Sequence, residues 1–139
     1  MKLSALKYFS IICFVAPICG CSFIPRRIGS LLNVNKKDVT EVSFDYSKWD
    51  KENNKYIEKT IHLESVTKDS FLKELFNIKT YTANDPCKCI GPDVYLKLEN
   101  KEIIVSDFRI VDNSKVKYNL NPRNGARPVG DLINKYAEL

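Results

Sequence analysis

Asp93-Val94-Tyr95-Leu96-Lys97-Leu98-Glu99-Asn100-Lys101-Glu102-Ile103-Ile104-Val105-Ser106-Asp107-Phe108-Arg109-Ile110-Val111-Asp112-Asn113-Ser114-Lys115-Val116-Lys117-Tyr118-Asn119-Leu120-Asn121 decides the architecture. From Asp93 to Glu99, apolar Val94, Leu96 and Leu98 alternate with Tyr95, Lys97 and Glu99, the period of a half-buried strand. Asn100-Lys101 makes a tight turn. Glu102 to Val111 reads as a second strand with Ile104, Phe108 and Ile110 facing one way. Asp112-Asn113-Ser114 turns the chain again, and Lys115 to Asn121 aligns Val116, Tyr118 and Leu120. Three strands with short turns predict an antiparallel meander.

Upstream, the same period recurs twice. Asp38 to Tyr46 sets Val42, Phe44 and Tyr46 against Glu41, Ser43 and Asp45. Tyr56 to Leu63 sets Ile57, Ile61 and Leu63 against His62. The polar run from Ser47 to Asn54, with a turn at Asn53-Asn54, joins them as an antiparallel hairpin. The period then changes. Val66, Phe71, Leu72, Leu75 and Phe76 share a helical face, which predicts a helix over Lys68–Asn77. Thr67 is the expected cap, with Val66 and Phe71 as a hydrophobic staple. Ile78 to Thr82 suits a short strand, and Asn84 to Pro92 is dense in turn residues. After the meander, Pro122 to Pro128 is irregular, and Val129 to Leu139 carries Leu132, Ile133 and Tyr136 as a helical stripe. The order ββαβ(β)ββα predicts an α+β fold: a curved antiparallel sheet of five to six strands with one or two helices on one face. Residues 38–139 form its single domain.

The N-terminus has a different character. Lys2 and Lys7 precede an apolar run from Tyr8 to Ile18. This run of about a dozen residues falls short of the roughly 20 needed to span a bilayer. Small Gly20 then stands before Cys21. Ile18-Cys19-Gly20-Cys21 resembles the lipobox of bacterial lipoproteins: a branched aliphatic at −3, a small residue at −1 and the cysteine to be lipidated. Cys19 at −2 departs from that pattern, and the resemblance covers only residues 1 to 21. It implies a signal peptide over 1–20 and an acylated Cys21. Ser22 after the cysteine implies the outer membrane, facing the periplasm. An ordinary secretory signal cut near Gly20, or an uncleaved anchor, is the alternative.

Residues 21–37 read as a membrane tether, because Pro25 and Gly29 break regular structure. Extended, it would hold the domain up to roughly 50 Å from the bilayer. Leu31, Leu32 and Val34 are too apolar for a free linker and suit packing on the domain as a short helix or strand. Arg26, Arg27, Lys36 and Lys37 suit an anionic lipid surface, although a solvated linker accounts for them more simply. Removal of residues 1–20 from the 139 leaves 119, enough for one core and too few for two. The net charge falls from +5 to +3 as Lys2 and Lys7 leave. This mild balance is not the footprint of a nucleic-acid binder.

With Cys13 and Cys19 removed and Cys21 acylated, Cys87 and Cys89 remain as the only pair. A disulfide between them, a soft-metal site and a thiol-redox pair are the competing readings, with a local bridge the blandest. Zinc wants about four ligands, and His62 is the only histidine. The run from Cys87 to Val111 is loosely similar to segments of bacterial envelope proteins, a likeness that transfers no activity. A triad would have to use His62, in a strand between Thr60 and Glu64, which argues against hydrolysis. Asp107 and Asp112 are paired carboxylates in a chain with many. Trp49, in the predicted loop with Asp45, Asp50 and Glu52, is either packing or a contact residue. Arg123 and Arg127 flank Asn124-Gly125-Ala126 and could receive an anionic ligand.

No catalytic set, cofactor motif or metal site emerges, so the chain reads as a non-enzyme. The expected function is a membrane-anchored binding module in the envelope, an immunity or inhibitor protein acting on an envelope protein or an incoming toxin. The alternative is a structural or pilotin-like lipoprotein of an envelope machine. Thiol-redox or metal handling through Cys87 and Cys89 comes third.

Overall fold

A computed structural model of the chain describes residues 24–139. The expected signal peptide over residues 1–20, the expected lipidation position Cys21, and Ser22 lie outside the described residues. The elements are β1 (Arg26–Arg27), α1 (Ile28–Leu32), a 3-10 turn (Lys36–Asp38), β2 (Glu41–Asp50), β3 (Lys55–His62), α2 (Ser65–Asn77), β4 (Lys79–Thr80) and β5 (Thr82–Ala83). They continue with β6 (Val94–Lys97), β7 (Glu102–Val105), β8 (Arg109–Asp112), β9 (Lys115–Leu120), a 3-10 turn (Arg123–Gly125) and α3 (Pro128–Ala137). Seven strands form one antiparallel sheet in the order β3-β2-β6-β7-β8-β9-β5. β1 and β4 pair apart from it. The protein is α+β, with helices packed on the sheet.

Alternation drives the sheet. Val42 and Phe44 on β2, Val94 and Leu96 on β6, Ile103 and Val105 on β7 and Ile110 on β8 are buried in one core. The helices close it with Phe71, Leu72 and Leu75 from α2 and Val129, Leu132, Ile133 and Tyr136 from α3. Phe71 stacks on Phe44 at 5.5 Å and meets Tyr136 edge-on at 5.1 Å, so one ring joins sheet, α2 and α3. Outside the core, Glu74 accepts from Lys135 Nζ (2.7 Å) and Tyr136 Oη (2.8 Å), linking the two helices again. Those donors hold Glu74 below the usual carboxylate range. Burial, then the hydrogen bond to Glu74, pushes Tyr136 up to about 12.

The meander has four strands where three were expected. The predicted strand Glu102–Val111 folds back on itself, with Val105 opposite Ile110. Ser106 N donates to Arg109 O (3.0 Å) and Phe108 N to Ser106 Oγ (3.3 Å), closing a Ser-Asp turn inside the apolar run. The inward set is therefore Ile103, Val105 and Ile110, while Ile104 and Phe108 are half-buried. On β9, Leu120 is buried but Val116 is exposed, beyond a register shift at Ile110/Val111.

The turn also puts Asp107 in the interior, 2% exposed. Its Oδ1 accepts from Val129 N (2.8 Å) and its Oδ2 from Gly130 N (3.1 Å). These are orphan amides of the first turn of α3, whose own N-cap, Arg127, offers no side-chain acceptor. Burial raises the Asp107 carboxyl above its ordinary value, and the two amides oppose that rise.

α2 starts at Ser65 after Glu64, earlier than Lys68, so Thr67 lies inside the helix rather than capping it. Val66 is 82% exposed and forms no staple with Phe71. The stretch Ile78 to Thr82 makes two short strands with different partners, β4 on β1 and β5 on β9.

The expected tether is largely folded. Ile28, Leu31 and Leu32 of α1 are buried in the common core, and Ile28 N donates to Ile78 O at 2.9 Å. Gly29 allows this approach, since a Cβ there would stand 3.0 Å from Phe76 Cβ. The domain boundary thus moves from residue 38 to about residue 26, because an i, i+3, i+4 apolar triplet needs a core to enter.

Candidate functional site: the projecting hairpin and its cleft

β2 pairs with β6 only from Glu41 to Phe44, but with β3 from Ser43 to Asp50. Beyond Asp45 the hairpin therefore projects past the sheet as a two-stranded arm. At its tip, Asp50 accepts from Glu52 N (3.0 Å) and from Asn53 Nδ2 (2.7 Å). Asn53 is the main reason that the Asp50 carboxyl lies below its ordinary value. Asn54 takes the left-handed conformation that closes the turn.

Each face of the arm carries an exposed apolar group. Trp49 and Tyr56 are directly opposed, with rings 4.8 Å apart and edge-on. Trp49 is 42% and Tyr56 67% exposed. On the helix-facing side Tyr46 lies opposite Lys59, whose Nζ stands 5.6 Å from its ring centroid. Lys48 lies opposite Ile57, itself 42% exposed.

A polar lock holds the base of the arm. Asp45 accepts from Tyr95 Oη (2.7 Å) and Thr60 Oγ1 (3.0 Å). The bond to Asp45, then burial, pushes the Tyr95 phenol up to about 12, so it stays a donor at any ordinary pH. Asp93 alongside is raised by burial, against the pull of Arg109 at 3.6 Å.

Between the arm, the loop Ile90-Gly91-Pro92 and the start of α3 lies a cleft of about 810 Å³. Tyr46, Lys59, Ile90, Arg127, Ile133 and Asn134 contribute to its walls. Ile90 is 90% exposed at its rim. Just before it, Cys87 and Cys89 meet through their sulfurs, with Cα atoms 5.1 Å apart, inside the disulfide range of about 4.4–6.8 Å.

No protein-family model, curated protein or solved structure matches this chain.

The sequence-derived candidates separate in space. Trp49 stands on strand β2, not in a loop, and is 42% exposed. Arg127 lines the cleft, with its guanidinium 5.6 Å from the Phe108 ring centroid. Arg123 lies 3.9 Å from the Tyr81 ring centroid and takes no part in the cleft. His62 is exposed on β3. Among the described residues no three His, Cys, Asp or Glu side chains gather as a metal site. Tyr56, Ile57 and Ile90 went unrecognised as surface groups. Tyr56 and Ile57 read as ordinary strand positions because nothing local tells how far the neighbouring strand extends.

Proposed function

We propose that this protein is a lipid-anchored envelope lipoprotein that acts as a non-catalytic binding module, with the β2–β3 arm as its contact surface. The partner is an envelope protein or an incoming toxin, as for an immunity or inhibitor protein. The observation that supports this reading is the exposed apolar set on a narrow arm: Trp49 against Tyr56 on one face, Ile57 on the other, and Ile90 across the cleft. Tryptophan and tyrosine dominate binding hot spots, because large rigid rings bury much area at small entropic cost. Loss of such a group costs about 2 kcal/mol or more, roughly thirtyfold in affinity.

Cross-linking and affinity capture of the full chain from envelope extract tests this. Capture of a defined partner, weakened about thirtyfold by Trp49→Ala with the melting temperature nearly unchanged, is the expected outcome. A partner retained equally by Trp49→Ala and Tyr56→Ala would place the contact surface elsewhere.

A further inference from the structure

β1 begins five residues after Cys21. Fully extended, that stretch spans about 17 Å at roughly 3.4 Å per residue. An acylated Cys21 would therefore keep the first folded residues within about 17 Å of the bilayer. Resting on the lipid-anchored reading above, we propose that the β1–β4 ribbon is a docking surface for an anionic phospholipid bilayer, with Arg27 and Lys79, which share one face of the ladder, on headgroup phosphates and Arg26 at its edge.

Charge and register carry this assignment. Arg26, Arg27 and Lys79 are all exposed, and among the described residues none forms an ion pair with a carboxylate. Arg27 lies directly opposite Lys79 in the ladder. Like charges at such a position repel across about 5 Å, a cost that an anion placed between them removes. Ile24, 74% exposed, adds an apolar group beside the cations, a composition suited to the boundary between headgroups and acyl chains. At about half of full stretch Arg26 would come within one Debye length of the surface, where the attraction of anionic headgroups acts.

The sheet gives the orientation a consequence. β4 runs through Tyr81 into β5, the last strand in the sheet order, whereas β3 is the first. Six inter-strand spacings of about 4.8 Å separate those edges, roughly 29 Å along the sheet. Seating β1–β4 on lipid turns the β2–β3 arm outward.

The test is lysine acetylation of the full-length lipidated chain in vesicles, read by mass spectrometry. The vesicles hold phosphatidylcholine alone or with about 30 mol % phosphatidylglycerol. Lys79 should react about fivefold more slowly on the anionic vesicles, the factor expected for one basic residue at the surface. It should recover in about 0.5 M salt, where screening is strong. Lys55 on the arm should react alike on both vesicles, and Arg26→Gln with Arg27→Gln should return Lys79 towards its rate on neutral lipid. Equal Lys79 rates on the two vesicles overturn the docking face, as does equal slowing of Lys55. The mass of the N-terminal peptide reads the anchor separately. If acyl groups are absent, the anchor reading fails, and the same vesicles are added to the unlipidated chain. Slowed Lys79 there supports the face, and an unchanged rate rejects it.

Discussion

Asp107 shows how a single carboxylate can hold an element remote in sequence. It fixes the start of α3 through two amides 22 and 23 residues away. Asp107→Asn keeps one acceptor and turns an amide donor toward the other N–H. The expected loss is about 1–3 kcal/mol in urea unfolding at neutral pH. The pH dependence is equally specific. Because burial raises the folded-state pKa, ionising Asp107 is harder in the folded than in the unfolded chain. Its contribution is full below the unfolded value and declines as pH rises through the folded one. The advantage of the native chain over Asp107→Asn should therefore widen as the pH falls from neutral toward the unfolded carboxyl range. A gap that narrows instead would mean that the amides, not burial, dominate. Asp107 was visible in the sequence only as one of many carboxylates. No local pattern announces a cap that arrives from 22 residues upstream.

Among the elements, α2 was legible in outline, and α1 only as a short apolar segment suited to packing on the domain. The stripe of Phe71, Leu72 and Leu75 marks a helix whatever its neighbours do. Its start was misplaced because Val66 imitates a staple residue while facing solvent. Phe71→Ala should cost about 3–5 kcal/mol, measured by denaturant midpoint, because that ring contacts both Phe44 and Tyr136. Around α1, Pro25, Gly29 and four basic residues gave the segment the composition of a linker, while Leu31, Leu32 and Val34 pointed to packing on the domain; Leu31 and Leu32 are buried, Val34 packs against the core, and Ile28 joins them. Leu31→Ala and Leu32→Ala should each cost about 2–5 kcal/mol. Combined, they approach the whole stability of about 5–15 kcal/mol expected for a domain of this kind. A double variant that unfolds at the native midpoint would show that α1 lies outside the cooperative unit. The split of Glu102–Val111 has a similar origin: Ile103, Ile104 and Val105 before the turn and Ile110 and Val111 after it are β-branched, so the run reads as one strand.

At the scale of the molecule, the α+β class was readable because alternation and helical stripes occupy separate stretches. The site was far less so. An arm exists only where one strand outruns its neighbour, and that is a relation between β2 and β6 rather than a property of either. Trp49 was noticed as a residue type, but its pairing with Tyr56 needed the register. The proposed anchor belongs to this scale too. Cys21→Ala should move the protein from the membrane to the soluble fraction on centrifugation of cell extracts, and continued sedimentation with membranes would count against acylation. Among the described residues no helix is long and apolar enough to cross a bilayer.

The two borders of the sheet differ in what they can accept. β3 offers eight residues, among them Lys55, Glu58, Lys59 and His62, whereas β5 offers two. Growth of a fibre by strand addition needs an acceptor on both sides of every unit, and a two-residue stub provides too few ladder bonds to be one. Any association through strand borders therefore terminates at a pair of molecules. Charged side chains along β3 discourage even that pairing, while the far border acts as a chain terminator.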